Sequence, residues 1–264
     1  MNKYFVKVRR LIASFQEIHE LVSLEDSFKI LTRNKSASSP HSLIKLKIRR
    51  IGFMPVVVRE GTSDYTTLKT TFLGQYHLPH KILPDNSTIL DLGCNVGYTV
   101  LHFAYLYPKA QIIGVEMDFD NFKLAQKNTG NIKNITLLNK AISISSGVVS
   151  YNKNTHEDAY QINHRQIVKD AEDIRVESIT INSVIEQLNI KCIDYLKMDI
   201  EGEEVRIFNE SLSDLSWLNI VDMLNIEIHT NLADLERIIS ILENHNFVVW
   251  REDHHWSLIR AVRS

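Results

Sequence analysis

The chain has 264 residues, which suits one large α/β domain or one domain with an appendage. Apolar residues make up 44% and charged residues 23%, ordinary globular values, and a net charge of −2 provides no bulk field for nucleic acid. The only two cysteines, Cys94 and Cys192, have no C-x-x-C spacing, which argues against a disulfide scaffold and for a reducing compartment.

The first fifty residues hold eleven Lys or Arg and four Asp or Glu. Leu11, Ile12, Phe15, Ile18, Leu21 and Val22 recur at helical spacing. The expectation is a helix packed on the main domain with a basic, solvated face. A membrane-surface helix or a homodimer contact through this region is the sharper alternative. Residues 1–8 lack the apolar core of a signal peptide, and no run of about 18 apolar residues exists, so a cytoplasmic protein without a transmembrane segment is expected. Residues 32–42 are polar, contain Pro40 and read as a loop. Residues 43–50 and 54–60 alternate apolar and basic positions across Gly52 and predict two strands of a hairpin. Gly61-Thr62-Ser63-Asp64 is a turn, with Asp64 placed to cap a helix reaching residue 73. Residues 1–85 therefore read as an N-terminal helical and β-hairpin extension, a lid or oligomer contact, and 86–264 as the principal domain.

From residue 88 the pattern changes to alternating strands and helices. Strands are expected at 89–92, 111–116, 135–139, 193–200 and 221–228, with short ones near 141–144 and 147–152. Helices are expected at 98–107, where Pro108 stops the run, and at 119–128, 180–188, 203–212 and 232–244. Residues 247–250 and 256–262 form a terminal hairpin around Asp253-His254. Residues 153–173, with His156, His164 and Arg165, are polar and irregular, as lids and binding loops often are. This alternation predicts an α/β fold: a mostly parallel sheet covered on both faces, with its ligand beyond the carboxyl ends of the strands.

That rule singles out two motifs. The first is Asp91-Leu92-Gly93-Cys94-Asn95-Val96-Gly97, a strand end, a tight turn and a helix start. Gly93 and Gly97 permit close backbone approach, and Asn95 tolerates left-handed backbone. Asp91 precedes the glycines, unlike the carboxylate of a dinucleotide fingerprint, and is placed to face a cation such as the amino group or sulfonium of S-adenosylmethionine. Glu116, 25 residues on, ends the next strand and suits both hydroxyls of a ribose. Met117 can pack on an adenine, and Ala141 and Ile142 leave room for the base. The second motif is Lys197-Met198-Asp199-Ile200-Glu201-Gly202-Glu203-Glu204, which delivers Asp199 to the cleft; Glu203 and Glu204 read mainly as caps of the next helix. Glu227-Ile228-His229 ends the neighbouring strand, and His229 is a candidate proton acceptor near neutral pH.

Together these residues resemble the FkbM-type methyltransferases over about residues 54–250, with Arg59-Glu60-Gly61-Thr62-Ser63-Asp64 as a further similar segment. Thr180-Ile181-Asn182 departs from the Thr-Leu-Asp often found there. The resemblance implies a Rossmann-like class I methyltransferase fold, a seven-stranded sheet with the last strand antiparallel, and helices on both faces. It also implies S-adenosylmethionine-dependent O-methylation of a small-molecule hydroxyl, commonly on a sugar or natural product, with S-adenosylhomocysteine as product. The residue roles expected are donor binding by Asp91, Gly93, Asn95, Gly97, Glu116, Met117, Ala141, Ile142 and Asp199. Catalysis is assigned to Asp199, His229 and Glu201, and acceptor contact to Arg59, Ser63 and Asp64. Asp199, Glu201 and His229 have donors suited to a divalent metal, although a metal is not the favoured reading. The alternatives are an inactive cofactor-binding scaffold and a methyltransferase for nucleic acid or another acceptor. A nicotinamide oxidoreductase does not fit the Gly93-x-Asn95-x-Gly97 turn.

Overall fold

The computed structural model describes residues 15–32, 42–130, 132–153, 159–163, 173–209, 211–229, 231–253 and 255–264. Of the expected loop at 153–173, His156, His164 and Arg165 lie outside the described residues, as does the chain before residue 15. The chain divides into two compact units, Met1–Tyr76 and His77–Ser264.

In the first unit, helical residues 15–21 precede α1 (Leu24–Thr32). The hairpin expected around Gly52 forms between β1 (Leu43–Ile48) and β2 (Met54–Arg59), in register from Leu43 with Arg59 to Ile48 with Met54. Its turn has Gly52 and Phe53 in the left-handed region, at φ 64° and 63°. Leu46, Ile48, Val56, Val58, Leu68 and Phe72 are buried, so one face of the alternating pattern supplies the core. In α2 (Asp64–Lys69), which runs on into a π-helical turn at Thr70–Gly74, Asp64 is the first helical residue rather than the cap. Its carboxylate accepts instead from Arg59: the backbone N–H at 2.8 Å, Nε at 3.0 Å and Nη2 at 2.6 Å.

The second unit is built on β3 (Thr88–Leu92), β4 (Gln111–Glu116), β5 (Ile135–Asn139), β9 (Tyr195–Met198), β10 (Met223–Glu227), β11 (Phe247–Glu252) and β12 (His255–Arg263). These strands lie in the order β11-β12-β10-β9-β3-β4-β5. β12 pairs antiparallel with both neighbours, while β3, β4, β5, β9 and β10 pair in parallel, as the sequence pattern implied. The chain reverses its direction of travel across the sheet between β3–β4–β5 and β9–β10, and the switch point lies between β3 and β9. α3 (Tyr98–Leu106), α4 (Phe119–Thr129), α5 (Ile181–Gln187), α6 (Glu204–Ile207) and α7 (Leu232–Asn244) belong to the same unit. All five residues of β3 are buried, as a central parallel strand requires.

Two details depart from expectation. A second, three-stranded sheet of β6 (Ala141–Ile142), β8 (Ile174–Ile179) and β7 (Gly147–Tyr151) includes β8, a strand the sequence reading left unassigned. Its signal is the alternation Ile174, Val176, Ser178 against Arg175, Glu177, Ile179, masked by the polar stretch before it. The helix expected at 203–212 is a single turn, Glu204–Ile207. The Asn209 side-chain oxygen accepts from the Ser211 N–H at 3.1 Å and Oγ at 2.7 Å, a local bond that competes with helix continuation.

Candidate active site

The turn after β3 is held from three sides. Gly93 and Cys94 donate their N–H groups to Val115 O at 2.9 and 3.0 Å, tying the turn to β4. Gly93 has φ 79°, Asn95 48° and Gly97 80°. A Cβ on Gly93 would stand 1.8 Å from Asp199 O, so the β3 turn and the β9 exit touch backbone to backbone. A Cβ on Gly97 would stand 2.9 Å from the Ala125 Cβ, which sets how closely α3 packs on α4. Gly93→Ala is expected to cost about 1–3 kcal/mol from the left-handed backbone alone, with the clash added, and to abolish S-adenosylhomocysteine binding. Thermal unfolding and calorimetry check this, and a variant matching the parent in both would count against it.

Asp91 is fully buried. It is the register partner of Lys197 on β9, so the two side chains share a face of the sheet. Lys197 Nζ lies 3.2 Å from Asp91 Oδ1 and 3.4 Å from Asp199 Oδ2, and donates to Gly93 O at 3.1 Å. Thr99 Oγ1 donates to the other Asp91 oxygen. Burial opposes the charge on Lys197, but the Asp91 and Asp199 carboxylates raise its pKa well above the usual lysine value. The cation that Asp91 faces is thus part of the chain. Lys197 went unrecognised in the sequence because only strand pairing brings it beside Asp91.

Glu116, also buried, accepts from Asn95 N at 2.9 Å through Oε2 and from Asp118 N at 2.8 Å through Oε1. Each oxygen keeps a further lone pair for a hydroxyl donor. The Asn95 Oδ1 atom is buried without a hydrogen-bond partner, an orphan acceptor in the turn expected to hold the donor. Asp118 caps α4 and accepts from Tyr151 Oη at 2.8 Å, with Lys153 Nζ also at 2.8 Å, so the end of β7 is braced beside Glu116. Burial, with the Asp118 charge, pushes the Glu116 carboxyl from 4.5 up to about 7 despite its two backbone donors. A folded-state pKa above the unfolded one gives stability that is full below about pH 4.5 and lost as pH rises through 7. The shift corresponds to about 3 kcal/mol. Urea unfolding between pH 5 and 8 is expected to show this loss, and Glu116→Gln to flatten it; an unchanged slope would refute the assignment.

At the exit of β9, Glu201 has φ 55° and Gly202 106°. Glu204, completely buried, accepts from Ile200 N and Gly202 N at 2.8 Å each, one donor on either side of Glu201. It also lies 3.4 Å from His229 Nδ1. Glu204 is therefore more than a helix cap: it shapes the turn and orients the histidine. His229 Nε2 then faces Asp199 Oδ1 at 3.7 Å, Glu201 Oε2 at 3.6 Å and Glu227 Oε1 at 3.7 Å. Burial pushes the Glu201 carboxyl from 4.5 up to about 7, helped by Asp199, Glu204 and Glu227 and opposed by His229. Burial alone would lower His229, but the Glu204 hydrogen bond and the charges of Asp199 and Glu201 raise it from 6.5 to about 9. The carboxylates that face the ring thus favour its protonated form. Asp199, Glu201 and His229 each offer a ligand atom, all within 4.8 Å of one another.

The other candidates are placed as follows. Met117 is half-buried, and its carbonyl accepts from Asn139 Nδ2 at 2.9 Å. Ala141 and Ile142 are buried in β6, paired with Ser178 and Ile179. In the first unit Arg59 and Asp64 form a bidentate pair with each other, and Ser63 precedes α2 with no side-chain cap bond. Thr180 caps α5 by accepting from Ser183 N at 3.0 Å, and Asn182 Nδ2 donates to Asp214 Oδ2 at 2.9 Å.

Strand order, the single reversed strand and a glycine turn at the switch point define a class I methyltransferase fold. The chain belongs to the FkbM methyltransferase family: the family model for the Methyltransferase FkbM domain matches residues 91–249. It is similar to Methyltransferase 1 of Beauveria bassiana, 23% identical over 194 residues that cover 66% of this chain and 77% of that protein. It is also similar to the 2-O-methyltransferase NoeI of Sinorhizobium fredii, 24% identical over 176 residues covering 61% and 72%. Among solved structures, M. capricolum TrmK in complex with S-adenosylhomocysteine aligns with TM-score 0.39 and 16% identity, over 73% of this chain and 67% of that one. No described helix is long and apolar enough to cross a membrane.

Proposed function

We propose that this methyltransferase acts on a hydroxyl of a small molecule, a sugar or a sugar-containing natural product. The observation that carries the reading is the cluster at the carboxyl ends of β9 and β10. There Asp199, Glu201 and His229 converge beside the donor turn, with Glu204 buried behind them. The relationship to a 2-O-methyltransferase supports an oxygen acceptor.

When bound, S-adenosylmethionine supplies a methyl group on positive sulfur, which passes to the acceptor oxygen while sulfur keeps the electron pair of the broken C–S bond. The chain's residues must hold the reactants in line and take the hydroxyl proton. Alignment is worth about 7–11 kcal/mol in well-oriented systems. Gly93, Asn95 and Gly97 let the backbone approach the donor, and Asn95 Oδ1 offers an acceptor to its amino group. Asp91 acts through Lys197 and Thr99 by fixing the turn. Glu116 receives the ribose hydroxyls, with Met117, Ala141 and Ile142 toward the adenine. Glu201 takes the proton, since a carboxyl near 7 is matched to a general base at neutral pH. Asp199 orients the hydroxyl, and the His229 ring faces it and Glu201. Arg59 and Asp64 brace the turn that carries Ser63. The two free cysteines suit a cytoplasmic setting.

Calorimetry with S-adenosylhomocysteine, followed by transfer of labelled methyl to a panel of saccharides, tests the reading. Absence of binding at millimolar ligand would sink it, and binding without transfer to any hydroxyl would favour the scaffold alternative.

A further inference from the structure

We propose that Asp199, Glu201 and His229 bind a divalent cation of the Mn2+ class beside the methyl donor, with Glu227 as an adjoining carboxylate. This deepens the methyl-transfer reading and rests on it for the cation's role, though not for its binding. The first observation is spacing. His229 Nε2 stands 3.6–3.7 Å from an oxygen of each of the three carboxylates, too far for a hydrogen bond to any of them. Ligands about 2.1 Å from one ion lie about 3.0 Å apart in octahedral and about 3.5 Å apart in tetrahedral arrangement, so a small inward shift brings them to ligating separations.

The second observation is the support behind the ring. Glu204 is completely buried and faces Nδ1 at 3.4 Å, which assigns the Nδ1 proton and leaves Nε2 as the atom presented to the carboxylates, where the ion displaces the second ring proton to solvent. A carboxylate behind a ligating imidazole is the usual outer support of a metal-bound histidine. The same Glu204 oxygens hold Ile200 N and Gly202 N, so one buried side chain orients both the imidazole and the turn that carries Glu201. The third is the division of labour within Asp199. Oδ2 faces Lys197 at 3.4 Å, and Oδ1 faces His229, so one oxygen is available to an ion while the other stays tied to the cofactor turn. Lys197 is the cation placed against this group, and it sits on the Asp91 side.

The donor set is carboxylate-rich with a single imidazole. It suits a cation hard enough for oxygen yet able to take nitrogen, as Mn2+ does, and lacks the thiolates that select softer ions. An ion there polarises the acceptor's oxygen and eases loss of its proton to the second oxygen of Glu201, with the proton and electron balance of methyl transfer unchanged.

The test uses the full chain freed of metal by EDTA and titrated with Mn2+, following the free-ion signal by electron paramagnetic resonance. One Mn2+ per chain is expected. Asp199→Asn and His229→Gln should weaken it at least tenfold, and Glu204→Gln by 10–100-fold. Each variant is checked by circular dichroism and thermal unfolding, so that lost metal is not confused with lost fold. A parent chain that binds S-adenosylhomocysteine but no Mn2+ at millimolar concentration overturns the cation site and leaves the methyltransferase reading intact, as do variants that bind Mn2+ like the parent. Stoichiometric Mn2+ binding lost in the variants, in a chain that never binds S-adenosylhomocysteine, supports the site and sinks the methyl-transfer reading.

Discussion

Glu201→Gln is expected to lower methyl-transfer turnover by about 10²–10⁴-fold while leaving S-adenosylhomocysteine affinity unchanged. The substitution keeps the side chain's shape and removes its ability to take a proton. Its position explains why the loss should be so selective. Glu201 is on the turn beyond β9, facing His229, whereas the donor's expected contacts are the Gly93–Gly97 turn and Glu116. Its left-handed backbone, φ 55°, is held by Glu204 on both sides, so the amide variant keeps the same turn. Steady-state kinetics with calorimetry on the same preparation separate the two effects. A drop in donor affinity that accounts for the whole loss would show that Glu201 builds the pocket rather than taking the proton.

Lys197→Met is expected to destabilise the fold by about 3–5 kcal/mol, a large share of the 5–15 kcal/mol that holds a typical domain together. Asp91 has no exposed surface, and Lys197 Nζ is the cation beside it at 3.2 Å. Removing the lysine leaves a buried carboxylate with Thr99 as its remaining donor, and the penalty is that of an uncompensated charge. Urea denaturation gives the magnitude. Adding Asp91→Asn to Lys197→Met is expected to recover part of the loss, because the orphaned charge is then gone; the coupling measures the pair. If Lys197→Met unfolds at the parent's midpoint, Lys197 is not the counter-charge of Asp91.

Much of this was legible along the chain because its causes are local. A tight strand-to-helix turn needs residues that tolerate φ near +50 to +80°, and Gly93, Asn95 and Gly97 are spaced for it. Fully buried parallel strands need near-continuous apolar runs, and residues 89–92 and 221–228 are mostly apolar, broken at Asp91 and at Asp222, Asn225 and Glu227. Where local signals compete, the structure departs from the pattern. Asn209 ended a helix that Glu203 and Glu204 had advertised, and the charged positions of β8 hid a strand.

The sequence by itself determined the fold class, the glycine turn after β3 and the carboxyl-end residues from which the candidate site is drawn, since spacing and residue type act over a few positions. Tertiary structure decided which of those residues meet. Asp91 and Lys197 are 106 positions apart and meet only because β3 and β9 pair in register. Glu204 and His229, 25 positions apart, meet only where β9 and β10 end side by side. Burial in that shared edge raises Glu201, and the carboxylates around His229 hold its proton. Charge and solvation depend on neighbours in space, and those neighbours come from strand pairing.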